Sequence, residues 1–158
     1  MRERLTARVL LIGPTGRLLL IGFEDPRPGG PHRFWATVGG GVEPGEDLFQ
    51  AAAREVFEET GMTGLPLGPV VWVHDHVLEL GRGPVRLRES YLMARTPSET
   101  LSAAQMTSAE RAVVREMRWW TLGELAASTE TIYPAGLPAL LGSLLRGDDP
   151  AAPIDLGA

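Results

Sequence analysis

A single helix-length segment with strand-like segments on both sides is the feature that most limits the fold. Helical periodicity extends from about Asp47 to Thr60, and Gly61 follows as a left-handed C-cap. The predicted strands on either side are 8–12, 17–23, 34–38, 70–80 and 85–95. The further predicted helices are 122–127 and 137–146. This order favours a mixed sheet covered by helices over an all-α or all-β fold.

Length and patterning indicate one domain. The chain has 158 residues, 44% of them hydrophobic, which is enough for one core. Apolar periodicity is lost after Gly147, so we expect a domain of residues 1–147 and a loosely ordered tail of residues 148–158. No apolar run is as long as a membrane span, and residues 1–4 lead into a strand pattern without a signal-peptide core. We therefore expect a cytoplasmic protein.

Missing residue types exclude several chemistries. The chain has no Cys and no Lys, so a thiolate nucleophile, a Schiff base and a P-loop lysine are excluded. No Gly-x-Ser-x-Gly segment is present to supply a hydrolase serine. The net charge of -5 argues against tight binding of long nucleic acid. It remains compatible with a small anionic substrate held by a metal ion.

The central helix gathers negative charge. On a helical wheel, three carboxylates share an arc of about 100°, those of Glu55, Glu58 and Glu59. A separate arc is apolar and is expected to pack; it comprises Phe49, Ala53, Val56 and Phe57. Like charges three and four residues apart destabilise a helix, and so do acids near its C-terminus. A divalent cation would resolve this conflict, and carboxylates suit Mg²⁺ or Mn²⁺.

Two other interpretations of this region are open to the same residues. A cluster of Glu on a helix is usually a solvated face, although the glycines at 39–41 favour close approach to a ligand here. Gly40 and Gly45 also have the glycine spacing of a P-loop. Glu46 then stands where that motif requires Lys, and its carboxylate would repel phosphate. We therefore reject the P-loop.

The segment 40–62 resembles the Nudix box, Gly-x5-Glu-x7-Arg-Glu-U-x-Glu-Glu-x-Gly-U, in which U is aliphatic. The matching residues are Gly40, Glu46, Arg54, Glu55, Val56, Glu58, Glu59, Gly61 and Met62. Residues 35–40 are similar to the Trp-x-x-Pro-Gly-Gly that leads into the box, with Val38 in place of Pro. The resemblance implies an α/β/α sandwich with a mixed sheet, in which the box forms loop, helix and loop.

The resemblance also implies an activity, the hydrolysis of a nucleoside diphosphate linked to another moiety. By analogy with the family, Glu55, Glu58 and Glu59 are expected metal ligands, joined by the carbonyl of Gly40. The same analogy gives Glu46 and Arg54 the role of orienting those ligands. Such an enzyme would use Mg²⁺, with Mn²⁺ as a substitute.

The general base is open. Some relatives take a carboxylate from outside the box, and the candidates here are Glu99, Glu110 and Glu116. Glu110 is the first choice among them. It also has a structural interpretation as an acid at a helix start after residues 107–108, and Glu55 is an alternative base.

Other polar and aromatic residues are candidates for substrate binding. Arg86 and Arg88 could meet phosphate or base, although alternating polar residues also mark a half-exposed strand. Phe34 and Trp35 could stack on a base, although core packing is the commoner role. His74 and His76 would share one face of a strand, but the sequence offers no third His or Cys beside them. For these two we prefer packing or substrate contact over a metal site.

Several functions and partners stay open at this stage. The main alternatives are a non-catalytic Nudix-fold sensor of nucleotide metabolites and an RNA-end pyrophosphohydrolase. A sensor is expected to lose box carboxylates, all of which are present, and an RNA enzyme would favour a basic groove. A purely structural acidic domain would leave the glycine-rich lead-in unexplained. We expect a small nucleotide-like substrate and no membrane partner. The oligomeric state is open, and homodimers are common among relatives.

Overall fold

The computed structural model describes residues 1–80 and 82–157 and contains a seven-stranded mixed sheet. The strands are β1 (Arg2–Ile12), β2 (Leu18–Asp25), β3 (His32–Gly41), β4 (Val70–Leu80), β5 (Gly83–Arg95), β6 (Val114–Trp120) and β7 (Ile154–Asp155). The helices are α1 (Leu48–Thr60), α2 (Ser108–Val113), α3 (Leu122–Ala127) and α4 (Leu137–Leu145). No helix in the described residues is long and apolar enough to cross a bilayer.

The strands lie in the order β6-β2-β3-β1-β5-β4-β7. The longest pairing is parallel and joins β1 to β5, from the Arg2–Val85 pair to the Ile12–Arg95 pair. β3 is paired to β2 along its first half and to β1 along its last residues. The last residues of β3 therefore face β1 at the point where α1 is about to begin, which brings the glycines at 39–41 under the helix.

Two apolar layers lie on opposite faces of the sheet, so the predicted α/β/α sandwich is confirmed. One layer packs beneath α1 and includes Val9, Val38 and Val56. The other packs beneath α3 and α4 and includes three fully buried tryptophans, Trp35, Trp72 and Trp120. Each layer buries a strip of aliphatic or aromatic surface, and such burial stabilises the fold by roughly 25 cal/mol per Å². The two layers hold α1 on one face and the other helix pair on the other.

The helix α1 has strong signals at both ends. The side chain of Asp47 accepts from the backbone of Gln50 at 2.7 Å, and the Gln50 side chain accepts from the backbone of Asp47 at 2.8 Å. This reciprocal capping box fixes the first turn. Gly61 ends the helix with a φ of 79°, a left-handed conformation that Gly adopts without a side-chain clash. The predicted position of the helix and of its C-cap is confirmed.

The predicted apolar arc of α1 is wrong at three of its four positions. Phe49 and Phe57 are 47% and 39% exposed, and Ala53 is exposed as well. Only Val56 packs as expected. The face against the sheet comprises Ala51, Ala52, Glu55, Val56, Glu59 and Thr60. Helical periodicity identified two arcs, but hydrophobicity alone chose the wrong one, because the buried arc carries two carboxylates.

Three other features differ from the sequence-based expectation. β1 begins at Arg2, six residues earlier than predicted, because pairing with β5 orders a polar segment that has no apolar pattern. β6 was not predicted. β7 lies within the predicted loose tail and pairs in parallel with Trp72 and Val73 of β4, and the backbone N–H of Leu156 donates to Val73. The last residue of that tail, Ala158, lies outside the described residues.

Candidate active site

Three carboxylates from two helices meet beside the sheet. Glu55 and Glu59 of α1 and Glu110 of α2 each offer an oxygen within 4.8 Å of the others. We call these three residues the carboxylate cluster. Glu55 is 8% exposed and Glu59 only 3%. Charges this close and this poorly hydrated repel strongly, so the cluster is suited to hold a cation.

Glu59 is fixed to the sheet by a glycine. Its Oε1 accepts a hydrogen bond from the backbone N–H of Gly39 at 2.9 Å. Gly39 has a φ of 145°, and a Cβ there would overlap the carbonyl oxygen of Ala7. Burial raises the pKa of Glu59 well above its usual value; Gly39 opposes this rise, and repulsion from Glu55 adds to it. The sequence did not identify Gly39 as a donor, although its place in the lead-in was the available signal.

Gly40 provides space beside the carboxylate cluster. A Cβ at Gly40 would overlap the Oε1 atom of Glu55. Only a residue without a side chain lets β3 and α1 approach this closely. The backbone of Gly40 therefore lies next to Glu55, where the sequence placed a carbonyl ligand.

Arg54 ties the loop before the helix to the acidic residues. Its Nε and Nη2 donate to the two oxygens of Glu46 at 2.8 and 3.0 Å, and Nη2 also donates to the Gly41 carbonyl at 2.9 Å. Nη1 donates to Glu55 at 3.0 Å and to Glu58 at 3.4 Å. The bidentate bond to Glu46 raises the pKa of Arg54, despite the opposing effect of burial. The guanidinium thus stays charged and orients three carboxylates.

Glu58 lies beside the carboxylate cluster and is held by Arg54. Burial and the charge of Glu55 raise the pKa of Glu58, while Arg54 acts in the opposite direction. The structure therefore separates the three predicted ligands on α1. Two point into the cluster, and the third lies at its edge in contact with a guanidinium.

Only one of the three outside acids reaches the carboxylate cluster. Glu110 follows the N-cap Thr107 of α2, whose hydroxyl bonds to Oε1 at 2.9 Å. Its Oε2 is buried and has no hydrogen-bond partner among the described residues. Glu99 is paired with Arg17 instead, and Glu116 is exposed on β6. The helix-start role of Glu110 is therefore confirmed, while its role as general base stays a prediction.

Comparison with known proteins identifies the family. The model of the NUDIX domain matches residues 2–140. The chain belongs to the Nudix family.

Individual Nudix relatives match this chain over a short segment or at low sequence identity. An RNA pyrophosphohydrolase from Brucella ovis is 50% identical over 38 residues, which are 24% of this chain and 21% of that protein. The chain spans less than a quarter of the length of the curated relatives that it matches. A MutT protein from Methanosarcina mazei Go1 superposes with a TM-score of 0.67 at 21% identity, covering 94% of this chain and 97% of that one. The NUDIX domain of Shewanella oneidensis NrtR, solved with ADP ribose, gives 0.66 at 17%, covering 92% and 90%.

The aromatic candidates of this Nudix domain divide into one core residue and one surface residue. Trp35 is 1% exposed, packs edge-on against Trp120 and donates to Glu130, so stacking of a base on its ring is excluded by burial. Phe34 is half-buried and stacks on Phe23 and His32, with ring centroids 5.2 and 5.1 Å apart. Its ring already has partners, so it is a poorer candidate for stacking than the sequence suggested.

The two arginine candidates also differ. Arg86 forms a bidentate pair with Asp75, both contacts at 2.7 Å, on the exposed surface of β5. Arg88 borders a cleft of about 550 Å³ between the start of α1 and strands β1, β4 and β5. Glu46 and Leu48 line the same cleft, which therefore adjoins the box. The structure brings Arg88 to the cleft and leaves Arg86 outside its lining.

Proposed function

We propose that this chain is a pyrophosphohydrolase that cleaves a diphosphate linkage in a nucleoside diphosphate derivative, with a divalent cation at the carboxylate cluster. The observation that carries the proposal is the meeting of Glu55, Glu59 and Glu110 within 4.8 Å in a largely buried position. Without a cation this arrangement lowers stability, because like charges are held together with little water to screen them. A chain selected for stability alone would replace them.

The donor set fits Mg²⁺ or Mn²⁺. Carboxylate oxygens are hard ligands, and Glu55 and Glu59 each offer one within 4.8 Å of the other. We assign Glu55 and Glu59 as the main ligands, with Glu58 and the Gly40 carbonyl completing the set. A divalent ion bound here supplies charge neutralisation for the diphosphate and lowers the pKa of a water molecule.

The protein's own groups hold this arrangement in place. The Gly39 N–H fixes one oxygen of Glu59 and leaves the other for the ion. Arg54 bonds to Glu46 and Glu55 together, which orients the ligands from outside. Because these contacts exist before any substrate binds, little reorganisation is needed during the reaction.

We assign the general base to Glu110. Glu110 belongs to the carboxylate cluster and has one oxygen without a hydrogen-bond partner among the described residues, so it can accept a proton from an attacking water. Thr107 holds the other oxygen, which fixes the carboxylate in one orientation. Glu55 is the weaker candidate because it already accepts from Arg54.

The cleft beside the box is the proposed site for the rest of the substrate. Its volume of about 550 Å³ lies within the range that accommodates a small molecule. Arg88 lines it with its Nε 3.6 Å from Asp75, while Leu5 and Val42 provide apolar surface. The relatives named for RNA pyrophosphohydrolase activity and for an ADP-ribose complex support a nucleotide substrate. The net charge of -5 favours a small nucleotide over a long RNA.

A substrate panel tests the proposal. Purified protein with Mg²⁺ is incubated with nucleoside triphosphates, dinucleoside polyphosphates, ADP-ribose, nucleotide sugars and a 5′-triphosphate RNA, and products are identified by phosphorus NMR. We expect cleavage at a diphosphate linkage in at least one small nucleotide, lost with a chelator and restored with Mg²⁺ or Mn²⁺. Cleavage that continues in excess chelator, or no cleavage of any panel member, contradicts it.

A further inference from the structure

A second group of metal-ligating side chains lies on strands β4 and β5, apart from the carboxylate cluster. His74 and His76 of β4 and Glu89 of β5 each offer an atom within 4.8 Å of the others. His74 pairs with Glu89 in the sheet register, and His76 is two residues further along the same strand, so all three share one face. The sequence lacked a third ligand for the two histidines, and the fold supplies it from the neighbouring strand.

The three side chains converge on one carboxylate oxygen. Oε1 of Glu89 lies 2.8 Å from Nε2 of His76 and 3.6 Å from Nδ1 of His74. The two imidazole rings are stacked nearly in parallel, with centroids 4.0 Å apart and an angle of 8° between their planes. One nitrogen of each ring therefore lies near the same carboxylate oxygen.

Arg8 of β1 orients the carboxylate of Glu89. Its Nε donates to Oε2 of Glu89 at 2.8 Å, which leaves Oε1 for the histidines. A carboxylate ligand oriented by a hydrogen bond on its other oxygen is a common second contact in metal sites.

We propose that His74, His76 and Glu89 form a binding site for a borderline transition-metal ion such as Zn²⁺, Co²⁺ or Ni²⁺. Two imidazole nitrogens and one carboxylate oxygen suit these ions and leave coordination positions open. The site differs in kind from the carboxylate cluster, whose oxygen donors suit Mg²⁺. Arg8 offsets the charge of Glu89, so binding depends on the nitrogens, and that dependence disfavours Mg²⁺.

The geometry needs only small adjustments. Ligand atoms of a tetrahedral zinc ion lie about 3.3 Å apart, given bonds of about 2.0–2.1 Å. The separations here are at most 4.8 Å, and side-chain rotations on two paired strands can reduce them. Without the metal, the hydrogen bond between His76 and Glu89 holds these two side chains together.

Cobalt binding in the presence of excess Mg²⁺ tests the proposal without measuring catalysis. Mg²⁺ occupies oxygen sites, and Co²⁺ with histidine ligands in a low-coordinate site absorbs visible light more strongly than octahedral Co²⁺. We expect one Co²⁺ per chain with such absorption in the wild-type protein and in Glu59→Gln. The affinity should fall by at least about tenfold in His74→Gln and in His76→Gln.

His32→Gln is the matched control, because it removes the remaining histidine of the chain, which stacks on Phe34. Its affinity for Co²⁺ should equal that of the wild-type protein. Thermal melts establish that each variant is folded, and two separate histidine variants guard against a folding defect in either. The proposal is overturned if the wild-type protein shows no cobalt absorption. It is also overturned if folded His74→Gln and His76→Gln bind Co²⁺ with wild-type affinity.

Discussion

The Oε1 atom of Glu59 accepts a hydrogen bond from the backbone N–H of Gly39 at 2.9 Å, and this bond joins the acidic helix to the strand that precedes it. It fixes a nearly buried carboxylate whose pKa is raised by burial and by repulsion from Glu55. The same contact helps to hold Glu59 in the carboxylate cluster. Folding and the proposed chemistry therefore depend on one short connection between β3 and α1.

Gly39→Ala tests how much this connection contributes to the stability of the fold. A Cβ at Gly39 would overlap the Ala7 carbonyl, and its φ of 145° is strained for any other residue. We expect a loss of at least about 2 kcal/mol in the free energy of unfolding, measured by urea denaturation. Gly123→Ala is the control, since nothing lies closer than 3.9 Å to its added Cβ and its φ is ordinary. An equal effect in both variants would contradict the account.

Metal-free stability should depend on pH through Glu59. Its raised pKa means that the folded chain holds a proton which the unfolded chain releases near pH 4.5. Stability contributed by this group is therefore present at low pH and is lost as pH rises from about 4.5 towards the raised folded value. In a chelator, the wild-type melting temperature should fall relative to that of Glu59→Gln across this range. A difference between the two proteins that does not change with pH would contradict the prediction.

The packing of α1 predicts opposite results for two neighbouring residues. Val56 is 2% exposed, whereas Phe57 is 39% exposed. Val56→Ala should lose about 1 kcal/mol or more of unfolding free energy, because it leaves a cavity under the helix. Phe57→Ala should lose less, despite removing a larger side chain. Denaturant titrations measure both, and a greater loss for Phe57→Ala would favour the apolar arc expected from sequence.

Part of the structure of α1 was predictable from the sequence, and part was not. Helix position, caps and the acidic arc follow from local spacing, so the box and the family were recognisable. The face of α1 that packs on the sheet was not predictable, because hydrophobicity ranks Phe57 above Glu59 as a core residue. Only the glycines of β3, which make room for carboxylates, reverse that ranking.

Residues distant in sequence set the remaining limits of prediction. Glu110 was the first choice among three acids, but only the packing of α2 brings it close to Glu55 and Glu59. Glu89 became a partner of His74 through the register of β4 and β5, which turn geometry and pairing determine together. The polar start of β1 became a strand only through its pairing with β5. These contacts have no local signature.

Glu110→Gln tests the assignment of the general base. The amide keeps the hydrogen bond with Thr107 but cannot accept a proton, so kcat should fall by about 10²- to 10⁴-fold. The Mg²⁺ concentration for half-maximal activity should change much less than in Glu59→Gln. The limb of the pH–rate profile that reports the base should also be lost. A wild-type pH profile and kcat would assign the base elsewhere.

The most direct test of the central claim is turnover of Glu59→Gln at saturating Mg²⁺, on whichever nucleotide the wild-type protein cleaves. Gln retains the acceptor for Gly39 and removes one charge from the carboxylate cluster. Glu116→Gln, which removes an exposed acid from β6, is the matched control. The account predicts a loss of several orders of magnitude in kcat/KM for Glu59→Gln, with metal-free stability kept or raised, and near wild-type turnover for Glu116→Gln. Near wild-type turnover of Glu59→Gln would contradict the placement of the metal site on this helix.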